Sequence, residues 1–169
     1  MPNYVKNKII FDKAKAEEVF SFFGSDGFSF KKLVPMPPHV YHGDISAEEE
    51  NDFPLNWHSW CVQNWGTKWG ELRDAMKIEN DKAVIEFETA WSIPYPIIAA
   101  FANRFKIPFE HRYCCEGADF WGIEVWGISV NPPEDGRIQR IRKNKNDEKI
   151  KHSLYLGLWG EELDKRDED

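Results

Sequence analysis

Residues 72–105 read LRDAMKIENDKAVIEFETAWSIPYPIIAAFANRF, and the fold turns on how this stretch is parsed. Residues 83–89 alternate, with Ile85, Phe87 and Thr89 on one side and Val84, Glu86 and Glu88 on the other, which is the period of a strand. Residues 72–78 precede them across Glu79-Asn80-Asp81-Lys82, so the two segments read as a β-hairpin. Ser92 is then expected to cap a helix. Its Pro94 and Pro96 are tolerated in the first turn, where backbone N–H groups have no intrahelical acceptor, and Ile97, Ile98, Phe101 and Phe105 form one apolar stripe. The helix is expected to end near Lys106.

Upstream, residues 4–11 place Val5, Ile9 and Phe11 on one face and Tyr4, Lys6 and Lys8 on the other, the pattern of a half-buried strand. Asp12 can cap a helix over 13–23, where Ala16, Val19, Phe20 and Phe23 recur at helical spacing and Gly24 supplies the stop. Residues 28–38 read as a short strand entering a proline-stiffened loop, and 39–53 as a polar, acidic excursion. Residues 55–64 place Trp57, Trp60, Cys61 and Asn64 along one helical face before WGTKWG breaks the helix. Downstream, 108–116 and 119–130 read as two strands about a Glu116-Gly117 turn, and 137–160 as a peripheral hairpin or helix. The order contains β-α-β-β-α-β, the succession of an α+β, ferredoxin-like α/β sandwich: a mostly antiparallel sheet with two helices on one face and an inserted helix and loop at about 39–70. The chain is expected to form one domain over 1–160, with a core at 1–131, an extension at 132–160 and an acidic tail at 161–169.

At 169 residues, 41% hydrophobic and 30% charged, the chain has material for one core and an ordinary polar surface, which disfavours disorder. No run approaches the roughly 18 apolar residues of a spanning helix, and the start, MPNYVKNKII, lacks the apolar stretch of a secretory signal, so a cytoplasmic, non-membrane protein is expected. Three cysteines, two of them adjacent at Cys114 and Cys115, suit a reducing compartment better than a disulfide framework.

Five of the eight tryptophans precede a glycine: Trp65, Trp69, Trp121, Trp126 and Trp159. Packing is the first explanation, because a Trp side chain carries 150–250 Å² to bury as a class. Met1-Pro2-Asn3 with Asn7, Pro35-Met36-Pro37, NWGTKW at 64–69, FETAW at 87–91 with Pro94, and Tyr113, Glu116-Gly117 and Phe120-Trp121-Gly122 resemble the YubB-type ferredoxin-like family of plasmid and phage proteins over about residues 1–130. The resemblance implies a ferredoxin-like domain in a mobile-element context and carries no established activity.

The candidate ligand-binding residues are Asn64, Trp65, Thr67, Lys68 and Trp69, with Trp91 beside them. Two indoles, an amide, a hydroxyl and an ammonium in one loop give the apolar walls and few orienting polar groups that ligand sites use; burial of the same tryptophans in the core is the competing account. His58-Ser-Trp-Cys61 and His111-Arg-Tyr-Cys114 offer four zinc-type ligands on paper. On a strand, however, 111 and 114 point to opposite faces, so no metal and no cofactor is expected. Glu116 and Asp119 flank a turn where carboxylates are ordinary residues. No phosphate-binding glycine motif and no recognisable nucleophile-base pairing is present. Nucleic acid is the rival partner for such a sheet, but antiparallel pairing of 4–11 with 83–89 would set Lys6 and Lys8 against Glu86 and Glu88 and neutralise the outer face. The basic segment 137–151, net +5, offers Arg137, Arg140, Arg142, Lys143 and Lys145 to phosphate; it equally offsets the acidic residues 161–169, net −4. The expectation is a non-enzymatic binding protein with a protein or small-molecule partner, monomeric or weakly dimeric. The alternatives are an enzyme acting on a small polar or nucleic-acid-derived ligand in a Trp-walled cleft, and a nucleic-acid binder acting through 137–151.

Overall fold

Alternation at the start of the chain makes strand β1 (Tyr4–Asp12), whose odd-numbered residues are buried from Val5 to Phe11. The computed structural model describes residues 3–44, 46, 53–127 and 147–163 and the backbone of 140–142. Asp12 accepts the Ala14 N–H at 2.8 Å and opens a 3-10 turn, Lys13–Lys15, which runs into helix α1 (Ala16–Phe23). Gly24, at φ 71°, ends that helix.

Residues 28–38 do not form the expected strand. Phe30–Leu33 is a short helix, α2. The Phe28 and Phe30 N–H groups are taken by the Asp74 and Glu71 carboxylates, each at 2.9 Å, so this backbone finds side-chain acceptors instead of a neighbouring strand. Helix α3 (Trp57–Asn64) forms as expected, capped by Asn56, whose side chain accepts from Ser59 N–H.

Strands β2 (Leu72–Glu79) and β3 (Lys82–Ala90) make the hairpin. Its two-residue turn, Asn80-Asp81, has φ of 48° and 61°, the left-handed pair that matches the twist of the flanking strands. Helix α4 (Tyr95–Phe105) follows, closed by Lys106 in the left-handed conformation. Ser92 is not its cap: Pro94 holds that position, and the Ser92 hydroxyl donates instead to the Gly66 carbonyl at 2.5 Å. Strands β4 (Phe109–Cys115) and β5 (Trp121–Trp126) form the second hairpin; residues 128–130, included in the second strand from sequence, lie outside the described residues. The C-terminal region contributes both a short strand, β6 (Arg140–Arg142), and a helix, α5 (Glu148–Trp159).

The sheet order is β2-β3-β1-β4-β5-β6, antiparallel throughout. Its first four strands, with α1 and α4 as the two connections, are the ferredoxin-like sandwich, and β5 and β6 widen it. Both helices lie on one face. Ile9, Phe11, Val19, Phe23, Ile85, Ile98 and Phe101 bury together there with Phe20 packed against them. Each such side chain contributes about 1.5–3 kcal/mol when fully buried.

The expectation of a peripheral C-terminal segment is corrected by α5, which crosses the opposite face. Tyr155 is buried with Cys114 and Ala118, and Trp121, Leu158 and Trp159 pack around them. Helix α5 packs over β4 and β1, so that part of the outer face is covered as well.

Candidate functional site

The outer face of the sheet carries the expected charge ladder. Lys6 pairs with Glu88 and Lys8 with Glu86 in the β1–β3 register, at 3.8 and 3.0 Å. Lys8 also reaches Glu79 at 2.6 Å, Lys77 meets Glu86 at 2.9 Å, and Arg112 pairs with Glu110 along β4. The hydrogen bond from Lys8 holds the Glu79 carboxyl below its ordinary range.

Helix α5 leaves part of this face uncovered and creates a groove of about 420 Å³. Its floor is Lys8, Arg112 and Ile123, and its wall is one flank of α5, where Lys149, Leu154 and Gly157 recur along successive turns. Lys149 is exposed on the first turn of α5, and no carboxylate lines the groove. A second opening of about 680 Å³ at the Phe11–Asp12 end is lined by Asp12 and Glu110 as well as Lys15, Lys82 and Arg112, so its cations are interleaved with carboxylates.

The candidate loop occupies a different part of the molecule, at the edge of the helical core. Trp65 is 2% exposed, donates its indole N–H to the Val34 carbonyl at 2.9 Å and packs edge-on against Phe30 and Trp60. Thr67 is buried and donates to the Trp69 carbonyl at 2.6 Å. Gly66, at φ 77°, lies against Pro96, where a Cβ would approach to 2.8 Å. Asn64 is half-buried and donates to the Trp60 carbonyl at 2.9 Å. Lys68 lies over the Trp69 ring at 5.1 Å, and both are half-buried. Trp91 is 54% exposed, at φ 68°. None of these six lines the groove beneath α5.

The two H-x-x-C segments do not converge. Cys61 belongs to the helical core, whereas Cys114 lies on the opposite face under α5. Burial raises the Cys61 thiol to about 11 and the Cys114 thiol to about 12, so neither presents a thiolate at neutral pH. Among the described residues no group of three or more His, Cys, Asp or Glu is placed to hold a metal ion. Glu116 serves the backbone: its Oε2 accepts from Tyr4 N–H at 3.4 Å.

A buried polar row escaped sequence reasoning. His111 and Glu124 are cross-strand partners with no exposed surface. Glu124 Oε1 accepts from Tyr95 Oη at 2.8 Å and from Tyr113 Oη at 3.3 Å, while His111 Nε2 and Asn7 Oδ1 lie 3.0 Å apart. Asn7 Nδ2 donates to Thr89 Oγ1, and Thr89 donates to the Ser92 carbonyl. Residue parity held the signal, since Glu124 stands in phase with Gly122 and Trp126 in an otherwise apolar strand.

Of the basic segment, Arg140 and Arg142 lie on β6, the outer strand beyond β5, whereas Arg137, Lys143 and Lys145 fall outside the described residues. No described helix is long and apolar enough to cross a membrane. No curated protein and no solved structure matches the chain. Residues 64–125, from the end of α3 through most of β5 and including every member of the buried polar row except Asn7, match the family model described as the ferredoxin-like domain in Api92-like protein.

Proposed function

We propose that the protein is a binding module, encoded on a plasmid or phage, that takes a small-molecule ligand in the groove between α5 and the outer face of the sheet. The groove carries this reading: a concave site of about 420 Å³ with three cations and an apolar wall has the size and composition of ligand pockets. The resemblance of NWGTKW and its companion motifs to the YubB-type family supports the mobile-element origin. Binding is favoured over catalysis because His111, Glu124 and the three cysteines are enclosed, away from this groove. Nucleic acid is disfavoured by the paired charges of the outer face.

A thermal-shift screen of small anions, nucleotides, metals and short DNA and RNA tests the proposal, since a ligand at about 100 times its Kd adds roughly 2.7 kcal/mol. Ser153, exposed on the groove wall, gives the control. A small-molecule hit should lose its shift in Ser153→Trp and keep it in Lys68→Ala and Trp91→Ala. The opposite pattern would move the site to the NWGTKW loop, and shifts from nucleic acid alone would overturn the reading.

A further inference from the structure

Gly157 stands inside α5 on the groove wall, and a Cβ built there meets nothing within 4 Å. A glycine within a helix costs up to about 1 kcal/mol relative to alanine, least near the ends, so a position in the last turn with open space around it would still favour alanine on stability alone. Among the described residues no packing accounts for this glycine. Its small size instead deepens the groove at the last turn of the helix.

The groove is chemically divided. Three cations line it: Lys8 and Arg112 from the sheet and Lys149 from the first turn of α5. Arg112 commits Nε to Glu110, and a guanidinium has five N–H donors in a planar fork suited to a carboxylate or phosphate. Apart from Ser153 and Gly157 the remaining surface is aliphatic, with Ile150, Leu154 and Leu158 facing Ile123 across the groove. Inorganic phosphate would leave that surface uncovered, whereas a neutral hydrocarbon would leave Lys149 and the remaining donors of Arg112 unused; Lys8 already pairs with Glu79 and Glu86.

Resting on the groove reading above, we propose that the ligand is an anionic amphiphile: a carboxylate or phosphate head against Lys149 and the guanidinium donors that Arg112 does not give to Glu110, with an apolar body lying over Gly157 along the aliphatic wall. Calorimetric titration of the whole chain below micellar concentrations, with decanoate, decyl phosphate, decanol and decyltrimethylammonium, tests it. One decanoate or decyl phosphate should bind per chain, the tighter of the two identifying the head group. Decanol and the cation should bind at least tenfold more weakly. Lys149→Gln and Arg112→Gln should each weaken the anions about tenfold; Lys149, exposed on the helix, carries the test if Arg112→Gln disturbs the sheet. Gly157→Leu should abolish binding of the anions with the melting temperature unchanged or raised. Equal binding of decanol and decanoate, lost in Gly157→Leu, would overturn the anionic assignment and leave the groove standing. Absence of binding by all four, or binding undiminished in Gly157→Leu, would overturn this inference; in the second case a ligand shift that also survives Ser153→Trp would remove the groove itself.

Discussion

Gly122 shows how one missing methyl group shapes the interior. The ring of Tyr113 lies where a side chain at Gly122 would be, and a Cβ there would come within 2.3 Å of Tyr113 Oη. Tyr113 is 2% exposed and its hydroxyl reaches the Glu124 carboxylate, so the ring cannot swing aside without breaking a buried hydrogen bond. Gly122→Ala is expected to destabilise the protein by about 1–3 kcal/mol, the usual cost of overpacking, as measured by urea unfolding. An unchanged midpoint would show that the tyrosine has an alternative position. Two of the other Trp-Gly pairs differ in cause: Gly66 and Gly127 adopt positive φ, at 77° and 76°, and lie against Pro96 and the Ile107 carbonyl.

Among the elements, the α2 region shows a backbone held by distant side chains, Asp74 on β2 and Glu71 just before it. The Glu71 carboxyl is raised above its ordinary value, first by burial, against the hydrogen bond from Phe30 N–H, with the Asp74 charge adding to the rise. A raised carboxyl binds its proton more tightly in the folded chain than in the unfolded one. Stability from this group is therefore full below the unfolded value, near pH 4.3, and is lost as pH rises through the folded value. Glu71→Gln removes that loss while its amide oxygen can still accept from Phe30 N–H. The variant should gain stability relative to the parent as pH rises from about 4 toward 7, with the difference smallest at the acid end; chemical unfolding across that range checks it, and a difference independent of pH would refute it.

Across the whole molecule, α5 covers the β4 and β1 part of the sheet face that α1 and α4 leave open. Tyr155 is buried against Cys114 and Ala118 and donates its hydroxyl to the Glu116 carbonyl at 3.1 Å, which joins the helix to the β4–β5 turn. If α5 is part of the cooperative fold, Tyr155→Ala should cost about 3–5 kcal/mol, as aromatic truncations in cores do. Loss of α5 signals at lower denaturant than sheet signals would show instead that the helix docks as a separate unit.

Local patterns determined the part of the fold governed by one element at a time. The period-2 alternation of 83–89, the helical stripe of 97–105 and the spacing of Val19 and Phe23 each state which residues face inward, and antiparallel pairing of β1 with β3 sufficed to match Lys6 with Glu88 and Lys8 with Glu86. Tertiary structure decided what depends on residues distant in sequence. Phe28 and Phe30 became a loop and a helical turn because carboxylates more than 40 positions away take their N–H groups. Trp65 entered the core because Phe30, Trp60 and the Val34 carbonyl surround it, which the composition of its own loop does not encode. The groove lay beyond sequence reading for the same reason: Lys8, Arg112 and Lys149 belong to β1, β4 and α5, and only the crossing of that helix over the outer face brings their charges around one space.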